Sequence, residues 1–308
     1  MIPYVITLIL IGIGLLLSGL FCMRFGLNQL LSNKVKYFFT QVTVTPWHGF
    51  IVGVLTSAIM QSSTAVSLIT IGLVSADYLT FYQSLGIILG ANIGTCTTVQ
   101  VMTISISKDF LIPLLIPCIA IMFLCEKVRY PALAVTGLIF MFLGLDVLSS
   151  AVHEISQIDS IVLDLLTTKY NPMYGIAGGI IITLLFQSSS ASTGVLIVLA
   201  EKGLIDMTTA AFVVYGNNIG SCISSVIVGA TSPLAAKRVA IAHIMLNILG
   251  VLIFLPNTNL LTLCTAYLAP DFPGQIALMH TIFNILSSMI VMPVIRQYAR
   301  LIMFLVPK

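Results

Sequence analysis

The chain has 308 residues, of which 58% are hydrophobic and only 7% are charged. Soluble domains carry about 25% charged residues, so this composition excludes a water-soluble globular protein and indicates an outer surface that faces lipid. The formal net charge of +3 carries little information by itself, and we expect no nucleic-acid partner.

Apolar runs long enough to cross a bilayer as helices follow one another along the chain. They are continuous, whereas the strands of a membrane barrel would alternate with a period of two. The first run has no basic segment before it and is too long for a cleaved signal, so it predicts a retained span. The fold class expected is an all-α polytopic membrane protein. The clearest runs are 4–22, 111–125, 131–149, 239–255 and 276–295.

The cysteines predict packing and not a metal site or a disulfide framework. None forms a C-x-x-C pair, and most lie in or beside apolar segments. The six are Cys22, Cys96, Cys118, Cys125, Cys222 and Cys264.

Two motifs recur in the chain at one constant offset. The run Gln61 to Ala65 (QSSTA) is matched by Gln187 to Ala191 (QSSSA), and Gly90 to Cys96 (GANIGTC) is matched by Gly216 to Cys222 (GNNIGSC). The offset is 126 residues in both cases, from 187 − 61 and from 216 − 90. Several matches in one register predict an internal duplication.

The duplication divides the chain into a first repeat at 1–125, a second repeat at 126–256, and a remainder at 257–308. We predict that the remainder is a linker followed by a final span at 276–300. The predicted elements of the first repeat are a span at 4–22, an interfacial helix at 24–45, a re-entrant hairpin at 46–76, a broken transmembrane helix at 82–105 and a span at 111–125. Those of the second repeat are a span at 131–149, an interfacial helix at 150–171, a re-entrant hairpin at 172–202, a broken helix at 208–230 and a span at 237–256.

The hairpins are inferred from the length of their arms. Each Gln-Ser-Ser motif has an apolar arm of about a dozen residues on either side, and neither arm can cross about 30 Å of hydrocarbon. Each segment is therefore expected to enter and leave on one side of the membrane. Irregular backbone at that depth is tolerated only where it is buried in protein or lines a wet cavity.

The basic residues sort onto two sides of the membrane if the hairpins do not cross it. Three crossings then separate matching points of the two repeats, so the chain is expected to be an inverted-repeat transporter with seven full spans. By the positive-inside rule, the N-terminus is expected outside and the C-terminus in the cytoplasm, in the cell (inner) membrane. Ten of the 13 basic residues lie on the side assigned to the cytoplasm: Arg24, Lys34, Lys36, Lys127, Arg129, Lys237, Arg238, Arg296, Arg300 and Lys308.

The paired motifs resemble those of the type II sodium/phosphate cotransporter family. The resemblance covers the chain from about Gly12 to Asn284, and it implies sodium-coupled uptake of inorganic phosphate with serine-rich hairpin tips and broken helices around the substrate. The first motif has Thr64 where the family often has a further serine. Many bacterial members carry a C-terminal soluble regulatory domain, and we expect a bacterial member without one.

The residues themselves indicate the same site. A dehydrated phosphate needs hydrogen-bond donors on all sides, and the two motifs supply hydroxyls, amides and helix N-termini. Neither motif contains lysine or arginine, so helix dipoles and co-bound cations are expected to neutralise the anion. The predicted phosphate-binding residues are Gln61, Ser62, Ser63, Thr64, Gln187, Ser188, Ser189 and Ser190.

Sodium requires oxygen ligands, which hydroxyls, amide carbonyls and unwound backbone can provide. We expect sodium to be the only metal and no other cofactor to be present. The helix-breaking residues are predicted to be Gly90, Gly94, Gly216 and Gly220. The predicted sodium-binding residues are Ser62, Asn92, Thr95, Thr97, Thr98, Ser188, Asn218, Ser221 and Ser224.

Two histidines lie within predicted spans, each four residues before an asparagine on the same helical face. The pairs are His243 with Asn247 and His280 with Asn284. Hydrogen bonding between helices is favoured over direct participation in the site, although ionisable residues within membranes are functional candidates.

Several alternatives stay open at this point. The same architecture could carry sulfate or a dicarboxylate, or export phosphate. A passive anion channel is less favoured, as is an intramembrane serine hydrolase, because the serines come in symmetric pairs while both span histidines lie in the C-terminal half. We expect a transporter of phosphate and sodium in a lipid bilayer and not an enzyme; the motifs leave the oligomeric state open.

Overall fold

The computed structural model describes residues 2–156 and 171–307, and within these ranges every regular element is helical. The predicted all-α polytopic class is confirmed. In chain order the helices are α1 (Ile2–Tyr37), α2 (Pro46–Met60), α3 (Ser63–Ser75), α4 (Phe81–Gly94), α5 (Cys96–Met102), α6 (Lys108–Leu124), α7 (Arg129–Ser156), α8 (Pro172–Phe186), α9 (Ser189–Glu201), α10 (Met207–Ala230), α11 (Leu234–Phe254), α12 (Thr258–Leu268), α13 (Phe272–Val291) and α14 (Ile295–Leu305).

Among the described residues, six segments are long and apolar enough to cross a membrane. The seventh predicted span, 111–125, corresponds to α6, which has 17 helical residues. At 1.5 Å per residue, α6 is roughly 26 Å long, at the lower limit for a spanning helix. The six segments are Pro3–Leu30, Phe81–Met102, Glu126–Glu154, Met207–Ala230, Leu234–Leu268 and Phe272–Val291.

Two helical hairpins, α2–α3 and α8–α9, coincide with the segments predicted at 46–76 and 172–202. Each first arm has 15 residues and begins at a proline, which lacks the N–H that a first helical turn leaves unpaired. Each second arm has 13 residues. The arms turn at Gln61-Ser62 and at Gln187-Ser188, so both motifs form the hairpin tips.

The first predicted interfacial helix is not a separate element. Helix α1 continues from the span through Tyr37 and is followed by a π-helix at Phe38–Val42. No proline interrupts residues 24–37, so nothing in the backbone ends the helix at the predicted span boundary. Of the second predicted interfacial segment, residues up to Ser156 continue α7 and residues 157–170 lie outside the described ranges.

Only one of the two predicted broken helices is interrupted. The segment 82–105 divides at Thr95 into α4 and α5, whereas α10 is continuous across Gly216 and Gly220. The break predicted in 208–230 is therefore wrong. These glycines serve close packing instead of unwinding: a Cβ at Gly216 would collide with the carbonyl oxygen of Ile176 on α8.

The C-terminal region also differs from the prediction. Residues 258–268, expected to be a linker, form helix α12. The predicted final span 276–300 consists of α13 and the start of α14, separated by a turn at 292–294. Pro293 lies in this turn, and a proline removes a backbone donor and clashes with the preceding turn of a helix.

Helices α1 and α7 pack closely along their length through facing glycines. A Cβ at Gly19 would collide with the backbone of Met141, and a Cβ at Gly144 would collide with the backbone of Leu16. Contacts at Gly12 with Leu148 occur near one end of α1, and the contacts of Gly26 with residues 130 and 134 occur near the other. The numbering of the two helices runs in opposite senses along the contact, so they are antiparallel.

The hairpins pack on their neighbouring helices in the same way in both halves. Gly53 of α2 lies against the carbonyl of Ile87 on α4, and Gly179 of α8 lies against the carbonyl of Val213 on α10. Both members of the second pair lie 126 positions after those of the first (179 − 53 and 213 − 87). Glycines at these positions let two backbones approach, as in other membrane helix pairs.

In the first half of the protein, α13 takes the packing position that α11 takes in the second half, and α6 does not. The Cys222 thiol on α10 lies 3.7 Å from the His243 carbonyl on α11, and the Cys96 thiol on α5 lies 3.9 Å from the His280 carbonyl on α13. Helix α11 also contacts α3, and α13 contacts α9. The pairing of 111–125 with 237–256 predicted from sequence order is thus not the one seen in the packing.

Candidate functional site

The two hairpin tips have the same local structure. The hydroxyl of Ser62 accepts a hydrogen bond from the N–H of Ala65 at 3.1 Å, and that of Ser188 accepts from Ala191 at 3.2 Å. Each serine therefore caps the N-terminus of a second arm, where unpaired N–H groups and the helix dipole favour a negative charge.

The glutamine before each serine has a left-handed backbone conformation. Gln61 has φ 54° and Gln187 has φ 51°, a region that residues other than glycine seldom adopt. Such strain costs about 1–3 kcal/mol per residue and persists where the surrounding structure enforces it, commonly at functional sites. The same strained conformation recurs at both tips, at positions where glycine would be less strained.

The first tip meets the second half of the protein at a small pocket. The Thr64 hydroxyl donates to the Ser221 carbonyl oxygen on α10 at 3.3 Å. Thr64 shares this pocket with the second tip, and the water-accessible space is roughly 10 Å³, about enough for a single water molecule. The lining residues are Thr64, Thr183, Leu184, Gln187, Ser188, Ser189, Gly220, Ser221 and Ser224.

This pocket brings together some of the predicted site residues and leaves others out. It contains Thr64 from the first motif and three residues of the second, together with two of the predicted sodium ligands on α10. Ser63 and Ser190 are buried in the second arms of their hairpins and do not line it. Gln61, Ser62, Asn92, Thr95, Thr97, Thr98 and Asn218 are also absent from its lining.

Each tip glutamine is hydrogen-bonded to the transmembrane segment that follows its own hairpin. The amide nitrogen of Gln61 donates to the Thr97 hydroxyl at 3.0 Å. The Ser224 hydroxyl donates to the amide oxygen of Gln187 at 3.4 Å. These bonds hold the two strained turns against α5 and α10.

The predicted sodium ligands of the first half include buried groups without protein partners. Asn92 and Thr98 are buried, and within the described ranges neither the Asn92 amide nitrogen nor the Thr98 hydroxyl has a hydrogen-bond partner. In the second half, the amide nitrogen of Asn218 donates to Val214 at 2.8 Å and the hydroxyl of Ser221 donates to Asn218 at 2.7 Å. The two halves therefore differ in how far the protein itself satisfies these groups.

The span histidines lie away from the small pocket, between helices. The Nδ1 atom of His243 lies 3.1 Å from the Ser67 hydroxyl on α3, which links α11 to the first hairpin. The amide nitrogen of Asn247 donates to the Cys222 thiol at 3.0 Å, and that of Asn284 donates to the His280 carbonyl at 2.8 Å. The His243 and Asn247 contacts run between helices, as expected, whereas the contact of Asn284 lies within α13.

Asn217 is a residue of this region that the sequence analysis missed. Its side-chain amide lies within 3.1 Å of the Thr183 hydroxyl, 2.7 Å of Ser192 and 3.1 Å of Thr193. The amide thus joins both arms of the second hairpin to α10. The sequence contains a signal for Asn217, because the second motif has this polar residue where the first motif has Ala91.

Arg24 is a second missed residue. Sequence analysis placed it among the cytoplasmic loop charges, yet it lies within helix α1, in the apolar segment Pro3–Leu30. Together with Asn28 it lines a cavity that also contains Gln187 and Ser188. No motif marked Arg24, because its proximity to the second tip depends on the packing of α1.

The sequence matches a known protein family over most of its length. Residues 15–150 and 158–269 match the model of the Na+/Pi-cotransporter family. The chain is 32% identical over 299 residues to "Uncharacterized protein YqeW" of Bacillus subtilis, covering 94% of this chain and 95% of that protein. No solved structure matches the chain.

Two further relatives carry functional names. The chain is 25% identical over 295 residues to the Escherichia coli "Putative inorganic phosphate export protein YjbB", covering 95% of this chain but only 54% of that protein. It is 32% identical over 128 residues to "Sodium-dependent phosphate transport protein 2A" of Rattus norvegicus, covering 39% of this chain and 20% of that protein. With a family match across most of its length, the chain belongs to the Na+/Pi-cotransporter family.

Proposed function

We propose that this protein couples the movement of sodium to the transport of inorganic phosphate, and that its substrate site forms between the two hairpin tips. The observation that carries the proposal is the pocket in which Thr64 of the first tip lies beside Gln187, Ser188 and Ser189 of the second. The names of two relatives, a "Putative inorganic phosphate export protein" and a "Sodium-dependent phosphate transport protein", are consistent with that cargo.

The chemistry of the tips suits a dehydrated tetrahedral anion. Both second arms begin at a capping serine, so two helix N-termini can offer N–H groups to phosphate oxygens. Hydroxyls can turn to donate to phosphate or to present oxygen to sodium. Sodium bound beside phosphate would offset the charge of the anion, so each ligand would raise the affinity for the other, which is the basis of coupling.

The small volume of the pocket indicates that phosphate binding requires movement. Space of roughly 10 Å³ accommodates one water-sized species and not a phosphate ion. We infer that the tips separate when phosphate enters, with the Thr64–Ser221 hydrogen bond broken in the phosphate-bound state. One tip could then close while the other opens, which is alternating access.

The inverted repeat required by this mechanism is supported by reciprocal contacts. In the α1–α7 pair the contact of Gly19 with Met141 is mirrored by that of Gly144 with Leu16, as expected when a two-fold axis exchanges the halves. Because α1 and α7 are antiparallel, such an axis lies across the helices and hence in the membrane plane. The proposed placement is in the cell membrane, with the N-terminus outside and the C-terminus in the cytoplasm.

Transport by purified protein in liposomes tests the proposal. Radioactive phosphate uptake should require an inward sodium gradient, and Gln61→Ala, Ser63→Ala, Gln187→Ala and Ser189→Ala should each reduce it severely without loss of folded protein. Ser150→Ala, at an exposed position of α7, is the matched control. Uptake that does not depend on the sodium gradient would refute the proposed coupling. Normal uptake in all four variants would refute the proposed site.

Phosphate export is the second candidate, and the similarity to the Escherichia coli protein across 95% of this chain favours it. Liposomes loaded with phosphate distinguish the two directions. Under uptake, an inward sodium gradient drives accumulation; under export, phosphate leaves the compartment that corresponds to the cytoplasm. Movement of sulfate or a dicarboxylate in place of phosphate would identify a different cargo, and ion currents far above a carrier's turnover would identify a channel.

A further inference from the structure

A cavity of about 530 Å³ lies between α1 and the tip of the second hairpin. Its volume falls within the range of about 300–1,000 Å³ typical of ligand pockets. Gln187 and Ser188 line both this cavity and the small pocket between the tips. The cavity therefore lies directly beside the proposed substrate site, and Thr64 does not line it.

Arg24 places a positive charge in this cavity. Its side chain is half-buried, and its Nε atom is buried without a hydrogen-bond partner in the described part of the chain. Over the same residues the ion pair found is between Lys108 and Asp146, so no described carboxylate neutralises Arg24. A charge in an apolar segment is costly unless it is paired, and such residues mark ligand sites in membrane proteins.

Two further groups converge on the same space. Asn28 lies four residues after Arg24, on the same face of α1, and lines the cavity beside it. Ser188 caps α9, so the N-terminal end of a 13-residue helix borders the cavity. A guanidinium, a side-chain amide and a helix N-terminus are all suited to an oxyanion.

We propose that this cavity binds a phosphate group through Arg24, Asn28 and the N-terminal end of α9, at a site that adjoins the pocket between the tips and shares Gln187 and Ser188 with it. Arginine suits this ligand because its planar fork matches two phosphate oxygens at once. The phosphate group is that of inorganic phosphate next to the transport site or that of an anionic lipid. The apolar wall, which includes Phe21 at 69% exposure, is compatible with an acyl chain.

The two sources are distinguished by binding measurements on the purified full-length protein in detergent. One arm titrates inorganic phosphate by calorimetry, and the other measures retention of phosphatidylglycerol against uncharged diacylglycerol by native mass spectrometry. Arg24→Gln should weaken binding roughly 10- to 100-fold in one arm, as expected for loss of hydrogen bonds to a charged group. Arg24→Lys should weaken it less, because it keeps the charge and loses the fork.

The control is Arg300→Gln, which removes an exposed charge from α14 and should change neither arm. Asn28→Leu provides a second variant that leaves the arginine in place, and it should weaken the same arm as Arg24→Gln. A loss confined to the calorimetric arm identifies free phosphate, and a loss confined to the lipid arm identifies a lipid headgroup. Unchanged binding in both arms for Arg24→Gln and Asn28→Leu overturns the proposal.

This inference stands or falls separately from sodium-coupled transport. Binding is measured without a sodium gradient, and Thr64→Val perturbs the pocket between the tips without touching the cavity. The effect of Arg24→Gln should therefore persist in a Thr64→Val background. If transport proves not to be coupled to sodium while this effect persists, the proposed function fails and the cavity site remains.

Discussion

Replacing Asn217 by alanine should destabilise the protein and loosen the second hairpin. The Asn217 side chain is fully buried, and its amide is the common hydrogen-bond partner of hydroxyls from both hairpin arms. Alanine removes that partner and leaves buried hydroxyls that must find new partners or remain unpaired. Alanine is sterically acceptable in such a position, because Ala91 occupies the matching position of α4.

The magnitude follows from the hydrogen bonds lost. Three hydroxyls lie within 3.1 Å of the amide, and side-chain hydrogen bonds in membrane proteins average about 0.6 kcal/mol each. A buried polar group left unpaired costs about 1–3 kcal/mol. We therefore expect a loss of about 2–4 kcal/mol in unfolding free energy, or roughly 3–6 °C in Tm for a chain of this size.

Thermal unfolding of the purified variant, monitored by the labelling of buried cysteine thiols, measures the loss of stability. Thr183→Val removes one of the three hydroxyls and should cost about a third as much. The double variant should lose less than the sum of the single variants, because the two residues share one hydrogen bond. A Tm within 1 °C of the wild type for Asn217→Ala, or strict additivity in the cycle, would refute this account of the hairpin.

The remaining predictions concern the repeat and the tips. Residues 77 and 203 both have positive φ after a hairpin, a conformation that glycine adopts freely. Asp77→Gly should therefore raise the unfolding free energy by about 1 kcal/mol, and Gly203→Ala should lower it by about 1 kcal/mol. Equal Tm values in both variants would contradict this. Gly216→Ala should lower Tm markedly by forcing α10 away from α8, whereas unchanged Tm and transport would show that the contact is dispensable. Cysteines introduced at Thr64 and Ser221 should be joined by a short thiol cross-linker, and phosphate should slow the reaction. Absence of cross-linking would show that the first tip does not lie beside α10.

The hairpins were predicted well because the residues that define their ends and turns lie close together in the sequence. Pro46 and Pro172 mark the starts of first arms, and the serine of each motif is a preferred helix cap. The 126-residue offset also carried real structural information, since Gly53 and Gly179 make matching contacts in the two halves. Periodicity and capping depend on neighbouring residues, which the sequence displays directly.

The glycine-rich motifs were misread where two roles of glycine compete. A glycine in a membrane helix permits either unwinding or close packing. Gly216 packs against the backbone of α8 and α10 is continuous, whereas Gly94 packs against the backbone of α2 and its helix is interrupted at the next residue, Thr95. The sequence of α10 alone contains nothing that distinguishes these outcomes.

Sequence order likewise gave the wrong partner for α11. Span 111–125 follows the first broken helix as 237–256 follows α10, and the parallel in order suggested a parallel in space. Packing instead places the His280 and Asn284 helix against Cys96. A clue existed in the repeated His-x-x-x-Asn spacing of α11 and α13, which reflects their similar surroundings.

By itself, the sequence determined that the protein lies in a membrane, that it is helical and duplicated, and which residues form the two strained tips. These properties follow from composition, from runs of apolar residues and from spacing along one chain. Tertiary structure alone decided that Thr64 lies beside the second tip, that Asn217 ties that hairpin to α10, and that Arg24 faces its cavity. Such contacts join residues far apart in the chain, and their formation depends on the packing of whole helices, which no local pattern encodes.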